Sequence, residues 1–68
     1  MNIPWKNGSQ ISVKIQNDQI LISANQEGLL SIAKQLSLLA KQARGSHIHY
    51  DTYNSLEDGS VDLIIEKI

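Results

Sequence analysis

The chain has 68 residues, 41% of them hydrophobic and 19% charged, with no cysteine and a formal net charge of −1. That length leaves room for one domain over residues 1–68, and the apolar content suits a packed core and not a disordered tail. Near-neutral charge without a basic stripe gives no electrostatic reason to bind nucleic acid, and the lack of cysteine excludes disulfides and fits a reducing compartment.

A domain this short buries only about 60% of its unfolded surface. Help from a metal, from self-association or from a partner is therefore expected. The start, Met1-Asn2-Ile3-Pro4-Trp5-Lys6, lacks the charged opening and apolar run of a signal peptide, so the expected location is cytoplasmic. Residues 1–10 read as a loosely packed arm, with Trp5 packing over the rest and Gly8-Ser9 as a turn.

Ile11, Val13 and Ile15 alternate with Ser12, Lys14 and Gln16, the period of a strand with one buried face. Asn17-Asp18 tolerate the positive φ of a tight hairpin, and Ile20, Leu21 and Ile22 resume as an antiparallel second strand. Asn25 is suited to N-capping, and Glu27 sits in the first helical turn, where a negative charge is favourable. Gly28 weakens that turn, so its presence implies close backbone packing against the sheet. Leu29, Ile32, Ala33, Leu36, Leu39, Ala40 and Ala43 recur at helical spacing as the expected core stripe. Arg44 and Gly45 are expected to end the helix. With Ser31, Lys34, Gln35, Ser37, Lys41 and Gln42 interrupting it, this segment is too polar to span a bilayer.

Ile48 and Tyr50 alternate with His47, His49 and Asp51 in a third strand. A polar stretch with an Asp58-Gly59 turn returns the chain, and Val61, Leu63 and Ile65 form the inner face of a fourth strand. The order ββαββ predicts an α+β fold: one four-stranded, largely antiparallel sheet with the helix packed on one face. Its uncovered face would carry Ser12, Lys14, Leu21, Ser23, His47, His49, Asp51, Asp62, Ile64 and Glu66, a mixture suited to a wet interface.

Chemistry concentrates in His47, His49 and Asp51, three same-face strand positions about 7 Å apart in succession. Two imidazoles and a carboxylate are candidate zinc ligands, and an open fourth position would be catalytic. A solvated structural row and a protein-binding row are the competing readings. The binding row is favoured because His and Tyr side chains offer contact area with polar tips and Asp51 can pair with a base. No cysteine nucleophile, phosphate loop or serine elbow is present, and Glu57-Asp58 before Gly59 reads as a solvated turn. A non-enzymatic binder without a cofactor is expected, with a small metal-binding protein or hydrolase and a homo-oligomeric module, possible as a homo-dimer through edge strands, as alternatives.

Glu27-Gly28-Leu29, His47-Ile48-His49-Tyr50-Asp51, and Leu56-Glu57-Asp58-Gly59-Ser60 leading into Leu63-Ile64-Ile65 resemble the bacterial immunity-protein family numbered thirty-two in polymorphic toxin systems, over roughly residues 20–68. The resemblance implies a cytosolic α+β protein that binds and neutralises the toxin domain encoded beside it. His47, His49 and Asp51 match the family's strand signature, and Glu57, Gly59 and Ser60 its turn signature. Together with Tyr53 and Asp58, the residues His47, His49, Asp51 and Glu57 form the expected toxin-binding set. Blocking needs shape and complementary charge but no catalytic group.

Overall fold

The computed structural model describes residues 5–68, ordered as β1 (Ile11–Gln16), β2 (Gln19–Ala24), α1 (Gln26–Ala40), β3 (His47–Tyr50) and β4 (Leu63–Glu66). β1 pairs antiparallel with β2, Ile11 opposite Ala24 and Gln16 opposite Gln19. Asn17 and Asp18 close this hairpin at φ 51° and 60°, the mirror-image turn that matches the twist of paired strands. β3 pairs antiparallel with β4, Ile48 opposite Ile65 and Tyr50 opposite Leu63. No helix among the described residues is long and apolar enough to cross a membrane.

The expected single four-stranded sheet is not formed; there are two separate two-stranded sheets. The second edge of β1 is met by a loop. Ile11 and Val13 carbonyls accept from Glu57 N (2.8 Å) and Val61 N (2.9 Å), while Val13 N donates to Ser60 Oγ (3.1 Å). Between those contacts the chain turns through Glu57–Ser60, with Gly59 at φ +86°. A hydroxyl thus stands where a continuous strand would offer a carbonyl, and the ladder is broken.

Ile11, Val13, Leu39, Ile48, Tyr50 and Leu56 form the buried core, with Trp5, Ala24, Ile32, Leu63 and Ile65 packed on it. α1 docks on only part of the expected stripe, Ile32 and Leu39. Its buried residues are Gly28, Ser31, Gln35 and Leu39, whereas Leu29 is 57% exposed and Ala33, Leu36 and Ala40 also face solvent. Polar groups that need partners select this face. The Tyr50 hydroxyl donates to Gln35 Oε1 at 2.8 Å inside the core. Ser31 Oγ accepts from Lys6 N (3.0 Å) and donates to the Glu27 carbonyl (2.8 Å). Turning Leu29 and Leu36 inward would break the Tyr50–Gln35 and Lys6–Ser31 bonds, and each buried group left unpaired costs about 1–3 kcal/mol.

The N-cap is Asn25, whose Oδ1 accepts from Gly28 N (2.8 Å) and Gln10 N (3.0 Å) while Nδ2 donates to the Gly8 carbonyl (2.8 Å). The arm expected to pack loosely is held by these bonds and by Trp5, which meets Tyr50 edge to face at 6.0 Å; residues 1–4 lie outside the described residues. α1 stops at Ala40 with Lys41 as C-cap, earlier than expected, and Gly45 (φ +93°) instead serves the turn in which Ser46 N reaches the Ala43 carbonyl. Arg44 is therefore outside the helix, and its last turn carries no basic residue.

Candidate functional site

Alternation on β3 separates two chemistries. Ile48 and Tyr50 are buried, and His47 and His49 are exposed on the outer face. The register places Glu66 opposite His47 and Ile64 opposite His49, so the outer face carries two imidazoles, a carboxylate and an aliphatic chain that is 60% exposed. His49 Nε2 lies 3.1 Å from Asp62 Oδ2, with both side chains largely exposed. Such a pair contributes at most about 1 kcal/mol to stability. It does orient the His49 ring.

Asp51 does not continue the histidine row. β3 ends at Tyr50, and the Asp51 carboxylate folds the following turn: Oδ1 accepts from Tyr53 N (2.9 Å) and Asn54 N (3.0 Å). Asn54 completes the turn, its Oδ1 accepting from Asp51 N (3.2 Å) and from the Ser55 hydroxyl, its Nδ2 donating to the His49 carbonyl (2.8 Å). Ser55 N and Leu56 N both bond back to the Asp51 carbonyl. Short polar side chains that bond backbone two and three residues on are the usual device for such turns.

The consequence for a metal is direct. The expected ligand set of His47, His49 and Asp51 is not brought together, and no group of three or more potential ligands is present among the described residues. Asp51 is a turn residue here.

What the turn presents is Tyr53, 98% exposed, on a backbone fixed by the Asp51 and Asn54 bonds. Glu57 and Asp58 are exposed on the next turn. Leu56, between the two turns, is buried and anchors both to the core. The six residues expected at the site therefore fall on two adjoining structures, the outer face of β3 and the pair of turns after it. Asp62 was expected on the same open face, whereas Asn54 was not anticipated at the site. Asp62 belongs there through its diagonal position to His49 across the β3–β4 pair, and the Asp-x-x-Asn spacing was the available signal for Asn54.

Burial raises the Tyr50 hydroxyl above its ordinary pKa of 10.0. This group lies on the core side, bonded to Gln35, and serves the fold rather than the exposed face.

No curated protein and no solved structure matches the chain. The family model for Immunity protein 32 matches residues 19–68, which spans β2, α1, β3, both turns and β4. With most of its length covered by that match, the chain belongs to the Immunity protein 32 family.

Proposed function

We propose that the protein neutralises a cognate toxin domain by binding and blocking it, without catalysis, through the outer face of β3–β4 and the turns of residues 51–58. Family membership supports a toxin-neutralising role in general. The observation that carries the assignment of the surface is Tyr53, wholly exposed on a turn that its neighbours hold by side-chain to backbone bonds.

An exposed tyrosine costs little conformational entropy to immobilise, and a pre-formed turn removes most of the remaining ordering cost. Tyrosine is also among the residues that most often dominate interface energetics. The outer face of β3–β4 and the second turn add His47, His49 and Ile64 and the carboxylates of Glu57, Asp58, Asp62 and Glu66, all exposed. Four carboxylates against two imidazoles suit a toxin surface with basic side chains.

The test is a pull-down from the source cells with the tagged full chain, read by mass spectrometry, alongside Tyr53→Ala and a His47→Ala/His49→Ala double variant. The parent should recover a toxin polypeptide, and each variant should lose it while keeping the parent's melting temperature. Truncating Tyr53 should cost about 2 kcal/mol or more of binding, roughly thirtyfold in Kd. Equal recovery by all three chains would overturn this surface, and recovery of no toxin by the parent would overturn the function.

A further inference from the structure

We propose that the chain forms a two-fold homodimer by antiparallel pairing of β2 with the β2 of a second copy, about an axis through Leu21. This goes beyond toxin binding and does not depend on it. In an antiparallel pair, residues alternate between bonding inward to the neighbouring strand and pointing their N–H and C=O away from it. Asn25 N bonds to the Gln10 carbonyl. Counting back along the register from that pair, Ser23, Leu21 and Gln19 face β1, and the backbone groups of Ile20 and Ile22 point outward.

β1 is covered on its second edge at Ile11 and Val13, where Glu57, Ser60 and Val61 bond to it. Edge strands are normally protected by charge, proline or a bulge. β2 reads Gln19-Ile20-Leu21-Ile22-Ser23-Ala24, with no charge and no proline, and pairs with β1 residue for residue without a bulge.

The sequence of β2 is complementary to itself in one register. With Leu21 on the axis, Ile20 lies opposite the partner's Ile22 and Ile22 opposite the partner's Ile20. These are the residues whose backbone groups point outward, so they would form the bonded pairs. Ile20, Leu21 and Ile22 are 67%, 43% and 45% exposed, and Ile15, opposite Ile20 on β1, is also exposed. Pairing would thus match apolar side chains on both faces of the joined sheet.

Charge agrees with this occupant. No like charges meet along the shared strand, and a net charge of −1 leaves almost no repulsion between copies.

Sedimentation equilibrium of the full chain, from micromolar to millimolar concentration, tests the proposal, with Ile20→Lys, Ile22→Glu and the double variant compared and far-UV circular dichroism recorded for each. The parent should double its weight-average mass from 7.6 kDa. Each single variant should remain monomeric with the parent's spectrum, since it sets a charge against an isoleucine. The double variant should regain the dimer, because each new lysine faces the partner's new glutamate. A parent that stays monomeric throughout, singles that dimerise like the parent, or a folded double variant that stays monomeric would each overturn the pairing. Should a single variant unfold, Leu21→Arg places two like charges on the axis and gives the same reading.

Discussion

Replacing Gly28 with alanine sets two effects of opposite sign against each other. In an exposed helix the change would stabilise by about 1 kcal/mol, because glycine loses more backbone entropy than any other residue. Here a Cβ would lie 2.8 Å from the Gln10 carbonyl oxygen, 2.9 Å from Ile11 Cγ1 and 3.1 Å from Asn25 Oδ1. None of these can yield cheaply. The Gln10 carbonyl accepts from Asn25 N, Ile11 is buried in the core, and Asn25 Oδ1 caps the helix. Overpacking costs about 1–3 kcal/mol, and a disturbed N-cap about 1 kcal/mol more. After subtracting the propensity gain, Gly28→Ala should destabilise by about 1–3 kcal/mol. For a domain of this size that lowers the melting temperature by about 5–20 °C. Thermal and urea denaturation followed by far-UV circular dichroism measure it directly. A variant as stable as the parent, or more so, would show that the close approach of α1 to β1 does not constrain this position.

Tyr50→Phe should cost about 1 kcal/mol at neutral pH by removing a buried hydrogen bond. Burial holds the Tyr50 pKa above 10.0 in the fold, so the unfolded chain ionises first; the hydroxyl's contribution is complete below pH 10 and fades as pH rises toward the folded value. Urea midpoints of parent and variant should accordingly converge above pH 10, and a gap that stays constant would contradict this. Asp51→Ala removes two acceptor bonds from an exposed turn, so stability should fall by about 1 kcal/mol or less. Its effect should appear instead as faster toxin release in surface plasmon resonance, because Tyr53 must then be ordered on binding; an unchanged dissociation rate would separate the turn from recognition.

Local chemistry was the legible part of this fold. Asn17-Asp18, Asn25 and Asp58-Gly59 act through their own backbone and immediate neighbours, and each stands where turn and cap rules place it. Gly28 was legible for the same reason, as an otherwise unexplained weakness in a first turn. The docking face of α1 was not, since a stripe of leucines and alanines says nothing of what the opposing surface needs. Here that surface brings the Tyr50 hydroxyl and the Lys6 amide, so Gln35 and Ser31 face inward and Leu29 faces out. Asp51 was misplaced by one residue of alternation carried too far. Its bonds to the next turn override the period of the strand, and with it went the three-ligand row.

The polar bonds inside the core also explain how a domain with so few buried residues holds one arrangement. A core made only of Ile11, Val13, Leu39, Ile48 and Leu56 would tolerate small rotations of the helix at little energetic cost. Tyr50 bonded to Gln35 in the core, and Ser31 bonded to Lys6 at its margin, oppose such rotation, because it would pull these partners apart. Helix, arm and β3 are thereby tied together. The apolar side chains excluded by this choice are left on the outer flank of α1 and along β2. β1 stands between β2 and the 57–61 loop, so a copy paired through the outer edge of β2 would approach from the side away from Glu57 and Asp58.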